Sequence, residues 1–528
     1  MISALRIAPL ALAVVALTML VFFDLGPPLA FNDDWMYAWA AQRLAGGHLA
    51  LFPASSALAL TQIGWATLIT LGHTDARLLR LTVIPFVALL ALATFQVARR
   101  LGAGQFWSGM AGLAVTASPL FIANATSFMS DIPYTALLMA AVWNGLRWQQ
   151  DGRGKAWTVI FVVAATAQRQ IGVFLVPALT VAMWLTWRSE PPQSRRWIPV
   201  GVLWVATVAA VLVPQALGLT PAAASTRFSL IAVNPVVVAI DLLVLPAEIG
   251  LALIPFAIGL LTIRYVRPSH DHRGPALIAL AGAVALILIT HAGMPITSDG
   301  FQPKGLMDVQ ASNPQTKQLL YPWPLFEAVM AVALVSFAIF TVWRWGAWRE
   351  VGPQGITLVA VAASQLAPWF VSPHFAYDRY YIPIAAPLVP LGAWLADQSL
   401  RPSLAQAWAV GALAFGLAIY AVGEQDYQAW QKARDDTARL AYQTTSPEYV
   451  SAGYEANAVY WEVPYYDRTG KDLSGWSDQS AWDFAVLGPR QPQVRLVFAA
   501  ADDPRPGFKY ESLSPGKVVI QPVTNSGQ

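Results

Sequence analysis

The chain has 528 residues, of which 56% are hydrophobic and 12% charged, and its mean hydropathy is +0.49. That composition excludes an ordinary soluble domain and implies a polytopic membrane protein. A net charge of only +3 gives no polyanion-binding signal, so nucleic acid is not an expected partner; the lack of cysteine excludes disulfides, thiolate metal sites and cysteine nucleophiles.

In chain order, the first apolar run covers 6–24 and follows a single basic residue, Arg6. Pro27, Pro28, Leu29 and Ala30 imitate a signal-peptide cleavage site, but the many later runs make an uncleaved first transmembrane helix the better reading. Further runs long enough to cross or nearly cross a bilayer fall at 78–98, 106–122, 132–148, 156–168, 171–187, 197–218, 236–263, 275–293, 323–343, 355–371, 381–397 and 403–422. The pair flanking Arg169 also reads as one broken helix. With the N-terminus inside, the inner loops carry fifteen Lys and Arg and the longer outer segments eight, as the positive-inside rule expects. An odd number of spans then leaves the C-terminus outside. The fold class is an all-α polytopic membrane protein of about 11–13 transmembrane helices, with a small C-terminal extracytoplasmic α/β cap.

Four segments lie on the outer side in this topology. The first loop, 25–77, carries the adjacent carboxylates Asp33 and Asp34 and an amphipathic stretch near 56–72. The second carries Ser130, Asp131, Ile132 and Pro133. A polar loop covers 294–322. Residues 424–528 have a soluble composition, with strand-like runs at Gln493–Ala499 and Lys517–Val523. The division is therefore a transmembrane domain over 1–423 and a soluble domain over 424–528.

Ionised groups at a membrane boundary are costly unless they face a cavity, a partner or water. Asp33 and Asp34 precede Trp35, Met36 and Tyr37, a pattern suited to proton chemistry or to holding a cation, and equally to a helix N-cap in an aromatic belt. Asp131 has the same two readings, with Ser130 as the other cap. Arg169, between Gln168 and Gln170, and Arg379, between Tyr377 and Tyr380, oppose the charge bias and suit phosphate oxygens. Arg379 could instead pair with Asp378 or lie on a tyrosine ring. Lys304 and Arg227 are weaker cationic candidates, and Asp241 and Glu248 share one helix face. Carboxylates and phosphate-type cations on one face fit a base acting on an acceptor while arginines stabilise a phosphate leaving group. There is no P-loop and no Gly-rich dinucleotide turn, so a lipid-borne activated group is the physical alternative to a nucleotide.

The order of short motifs resembles the GT-C fold glycosyltransferases, such as protein O-mannosyltransferases and the aminoarabinose transferases of lipid A. Asp33-Asp34-Trp35-Met36-Tyr37 is similar to their Asp-Glu-x-x-Tyr segment, with Asp in the second place. Arg99-Arg100-Leu101-Gly102, then Ser118-Pro119-Leu120 with Asp131-Ile132-Pro133, then Arg379-Tyr380-Tyr381-Ile382-Pro383 with Pro387, follow in the family's order over most of residues 1–400. The resemblance implies an inverting transferase acting on the outer face of a bacterial inner membrane. It implies a polyprenyl-phosphate sugar as donor and a glycan, lipid or protein as acceptor. Asp33 would be the base and Asp34 its companion, with Asp131 a third catalytic acid. Arg169, Arg379 and Lys304 would bind donor phosphate; Trp35, Tyr37, Gln170, Tyr377 and Tyr380 would line the substrate site. No cofactor is certain; in some relatives the companion carboxylate approaches a metal, which leaves room for Mg or Mn on Asp34. A transporter or lipid flippase would also place ionisable residues between spans, but calls for two similar halves, and no internal repeat is evident. A non-catalytic scaffold with a sensor cap leaves the clustered acids unexplained.

Overall fold

The computed structural model describes residues 33–53, 55–73, 75–188, 197–221, 235–261, 323–342, 352–367, 378–399, 401–470, 492–510 and 516–523. The spans expected at 6–24 and 275–293 and the loop expected at 294–322 lie outside them. The remaining apolar runs all coincide with helices. In order these are α1 Asp34–Ala45, α2 Leu60–Ile69, α3 Ala76–Leu81, α4 Ile84–Arg100, α5 Gln105–Ala117, α6 Pro119–Ala125, α7 Asp131–Asp151, α8 Lys155–Gln168, α9 Leu175–Trp187, α10 Ile198–Ala216, α11 Pro235–Leu253, α12 Trp323–Val342, α13 Gly352–Ser364, α14 Ile382–Asp397 and α15 Pro402–Tyr442. Five helical stretches among the described residues are long and apolar enough to cross a bilayer, and the chain is a multi-pass membrane protein.

Two helices form the centre. α7 is 21 residues long, about 31 Å, and nearly every side chain on it is buried. Pro133 sits in its first turn, where no hydrogen bond is lost, and Gly152 ends it with a positive φ of 68°. α14 is buried almost throughout despite Pro387 and Pro390 in its interior. Within a bundle, neighbouring helices and local adjustments satisfy the backbone groups such prolines release. Close helix approach comes from small residues: a Cβ on Gly250 of α11 would lie 2.0 Å from the Ala333 carbonyl oxygen of α12.

The chain leaves the helical path between α8 and α9. Arg169 is extended (φ −142°, ψ 129°), and a 3₁₀ turn, Gln170–Phe174, follows. A Cβ on Gly172 would fall 2.7 Å from the Thr166 amide nitrogen, so the chain doubles back on α8 here. A glycine is required for that approach.

α15 is the largest difference from the sequence reading. The apolar run ends near residue 422, yet the helix continues to Tyr442, 41 residues and about 60 Å in all. That is twice the hydrocarbon thickness. Past the apolar half the sequence turns charged but holds helix formers and, beyond Gly423, neither glycine nor proline. It also keeps a buried stripe, Trp430, Ala433, Arg434, Thr437, Ala438 and Ala441, at helical spacing. On that stripe packs a four-stranded sheet of β1 Val450–Ser451, β2 Val494–Ala499, β3 Gly507–Tyr510 and β4 Gly516–Pro522, in the order β1-β2-β4-β3. β1 and β2 are parallel; the other pairs are antiparallel. The strand-like runs at 493–499 and 517–523 thus correspond to β2 and β4. Thr437 Oγ1 donates to the Val518 carbonyl at 3.1 Å and accepts from the Phe508 amide at 3.2 Å. Arg434 is buried against Glu455 at 2.8 Å with its guanidinium over the Trp430 ring.

The C-terminal part also grips α1. A short helix, α16 Val463–Thr469, brings Tyr466 against Trp39 and Phe52, at ring-centroid distances of 5.5 and 5.2 Å. Asp467 accepts from Trp39 Nε1 at 3.0 Å and from the Arg43 guanidinium. Each aromatic contact of this kind contributes about 0.5–1.5 kcal/mol. Tyr466→Ala should therefore loosen α1. Hydrogen exchange across Asp34–Ala45 should rise by about tenfold for each 1.4 kcal/mol lost. Unchanged exchange there would mean that the Tyr466 ring does not help to hold α1.

Candidate active site

Three buried carboxylates meet three guanidiniums at one end of the bundle. Asp33 occupies the N-cap position of α1, but its side chain makes no capping bond. Its Oδ2 instead accepts from Arg379 Nη2 at 3.1 Å, across 346 residues of chain. Asp34 Oδ2 accepts from Arg80 Nη2 at 3.2 Å. Asp131, wholly buried, accepts from Arg169 Nη1 through Oδ1 at 2.6 Å. The cap of α7, Ser130, likewise makes no side-chain cap; its Oγ donates to the Tyr37 hydroxyl at 3.4 Å. The plain capping readings of Asp33 and Asp131 therefore do not describe what these side chains do.

Tyr380 joins two of the pairs. Its ring lies 5.4 Å from the Arg169 guanidinium and 5.3 Å from that of Arg379. The Asp33–Arg379 and Asp131–Arg169 pairs thus flank one half-buried aromatic ring. Both guanidiniums come from tight 3₁₀ geometry: Arg379 lies within the turn Asp378–Tyr381, and Arg169 immediately precedes another.

A pair of amides fixes the same region. Gln168 Oε1 accepts from the Gln62 amide at 3.0 Å, and Gln168 Nε2 donates to Gln62 Oε1 at 2.9 Å and to the Ser130 carbonyl at 3.3 Å. Gln62 Nε2 donates to the Phe128 carbonyl at 2.8 Å, and the Gln168 carbonyl takes the Ala59 amide at 2.9 Å. Both glutamines are fully buried. They tie α2, the end of α8 and the segment leading into α7 into one unit, next to both members of the Asp131–Arg169 pair.

The other sequence candidates fall as follows. Tyr37 is buried beside Ser130. Trp35 is buried with its ring edge-on to Phe52 at 5.0 Å, on the side of α1 facing the aromatic contact with α16. Gln170 is half-buried in the 3₁₀ turn, and among the described residues no hydrogen bond links it to the cluster. Lys304, Tyr377 and Arg227 lie outside the described residues. Glu248 is buried on α11; nothing describes the side chain of Asp241. Sequence reasoning missed Arg80, Gln62 and the bonding role of Gln168. Arg80 left a signal in Ala76-Arg77-Leu78-Leu79-Arg80-Leu81, two arginines among leucines at the start of an apolar run.

No family model matches the chain, and no curated protein does. Solved structures do. One is ArnT from Cupriavidus metallidurans bound to undecaprenyl phosphate, 17% identical, with a TM-score of 0.45 over 96% of this chain and 97% of that one. The apo state of the same protein gives 18% identity and a TM-score of 0.42. A third is the archaeal oligosaccharyltransferase AglB from Archaeoglobus fulgidus with an inhibitory peptide and a dolichol-phosphate. It is 13% identical with a TM-score of 0.44, over 92% of this chain and 64% of that one. These are GT-C fold membrane glycosyltransferases, the kind of protein that the order of motifs resembles.

The amide pair yields a direct test. Gln62→Leu takes from Gln168 Nε2 one of its two acceptors and from the Phe128 carbonyl its donor, at about 1–3 kcal/mol for a buried group stranded. The single variant should melt well below wild type, and Gln62→Leu with Gln168→Leu should lose less than the sum of the two single changes. Strictly additive losses would show that the two amides do not act as a unit.

Proposed function

We propose that the chain is a glycosyltransferase that moves a sugar from a polyprenyl-phosphate donor to an acceptor at the outer face of the membrane. The observation that carries this reading is the pairing of Asp33 with Arg379 and Asp131 with Arg169 around Tyr380, buried at one end of the bundle. A base and two planar phosphate-binding groups then lie within one small site. In the proposed step the acceptor oxygen or nitrogen forms a bond to the anomeric carbon, and its proton passes to Asp33. The bond from that carbon to the phosphate oxygen breaks, its electrons stay on the phosphate, and Arg379 and Arg169 neutralise the charge that develops. Attack opposite the leaving group inverts the anomeric centre. Asp131 orients Arg169, and Trp35, Tyr37 and Tyr380 line the sugar path. The C-terminal part, clasped to α1, covers the site and limits competing hydrolysis.

The test is purified full-length protein given a polyprenyl-phosphate sugar, with release of polyprenyl phosphate and formation of glycosylated acceptor as readouts. Asp33→Asn keeps size and hydrogen bonding but removes the proton acceptor, and should slow transfer by about 10²–10⁴-fold. Arg379→Lys keeps the charge but loses the planar fork, so it should retain part of the activity, where Arg379→Ala loses donor use. Near-normal turnover in a folded Asp33→Asn protein would remove the base assignment. Orientation has its own test: a reporter fused after residue 528 should be active outside the cytoplasm, and a cytoplasmic C-terminus would place the cluster on the wrong face for this chemistry.

A further inference from the structure

Asp34 is the position at which the motif resemblance leaves room for a divalent cation. The residues around it do not suit one. A magnesium or manganese ion needs several oxygen ligands, usually one or two carboxylates besides water and phosphate. Asp34 Oδ2 already accepts from Arg80; Asp33 beside it accepts from Arg379, and Asp131 from Arg169. Among the described residues no three His, Cys, Asp or Glu side chains come close enough together to hold a metal ion.

We propose that the Arg80 guanidinium is the resident cation of this site: it holds Asp34 in place of a metal ion and thereby positions Asp33. Asp33 and Asp34 are adjacent in the chain and both buried, so their charges repel unless each has its own counter-charge. Arg379 reaches Asp33 from the late 3₁₀ turn, and Arg80 reaches Asp34 from α3. Arg80 stands on a rigid support. Asp75 caps α3 by accepting the Arg77 amide at 2.8 Å, and Thr82 closes its end onto the Leu79 carbonyl at 2.6 Å. Trp65 Nε1 ties the Thr82 carbonyl to α2 at 3.1 Å, and α4 begins at Ile84. A guanidinium at that point carries a charge that does not depend on pH or metal supply. It fixes the first residue of α1 and leaves the preceding carboxylate facing Arg379. This assignment rests on the proposed function only for the meaning of Asp33 as base.

The experiment uses the full chain in detergent, stripped with chelator and titrated with Mn2+ by electron paramagnetic resonance, with melting temperature followed in parallel. Wild type should take up no stoichiometric Mn2+ and should melt alike with chelator and with Mn2+. One Mn2+ per chain that Asp34→Asn abolishes would overturn the assignment. Arg80→Gln should lower the melting temperature, and combining it with Asp34→Asn should restore most of the loss; simple addition of the two losses would also overturn it. Should Arg80→Gln fail to fold, Arg80→Lys, which keeps the cation, should melt close to wild type and still exclude Mn2+. A loss with lysine as large as that with Asp34→Asn would count against the assignment. None of these readouts needs a donor, so a chain that transfers no sugar would sink the proposed function without touching the Arg80 result. Conversely, transfer that chelator stops and Mn2+ restores would overturn the Arg80 assignment and leave the function standing.

Discussion

The arrangement depends on one constraint: a carboxylate buried at the end of an apolar bundle must meet a cation, because leaving it alone costs several kcal/mol. Three carboxylates here meet that constraint with three arginines, and each pair crosses a different part of the chain. Asp34–Arg80 closes the first loop on itself. Asp131–Arg169 joins the start of α7 to the break after α8. Asp33–Arg379 joins the first described residue to the turn before α14. Replaced by apolar residues these pairs could be matched in stability, so their presence speaks for placing charge more than for holding the fold.

The same pairing bears on the proposed chemistry. The group proposed to take the proton and a group proposed to take the phosphate are hydrogen-bonded to each other. A phosphate bound at Arg379 would share that guanidinium with Asp33, so the proposed base and the proposed leaving-group site meet on one arginine. The Asp131–Arg169 pair repeats the arrangement across Tyr380. The Tyr380 face lies against both cations while each guanidinium stays bonded to its carboxylate.

Much of this was legible in the sequence for physical reasons. Asp33, Asp131, Arg169 and Arg379 stand out because charges near an apolar run are expensive and rarely idle. The helices follow from apolar runs, and β2 and β4 from β-branched residues between turn formers. What was not legible is pairing. Asp33 at an N-cap position reads identically whether its carboxylate caps the helix or reaches an arginine 346 residues away. Arg80 could not be matched to Asp34 before the first loop was folded. Gln168 and Gln170 flank Arg169 symmetrically in sequence, and only the extended conformation at Arg169 decides that Gln168 turns toward Gln62 and Ser130. The length of α15 was missed for the opposite reason. Composition changes at residue 423 while backbone conformation does not, so a rule built on hydropathy ends the helix where only its solvent ends.

That unbroken helix gives the C-terminal part its mechanical meaning. α15 leaves the bundle as a span and becomes the platform of the sheet without a joint, so the sheet has no flexible tether at that point. Its other attachment is the clasp of Tyr466 and Asp467 on α1, the helix that begins with Asp34 and follows Asp33. Two connections therefore run from the C-terminal part toward the carboxylates, through α15 into the bundle and through α16 into α1. α1 is short, with its first residue bonded to Arg80 and its second half held by Tyr466 and Asp467. The covering part and the carboxylate pair are thus joined at both ends of α1.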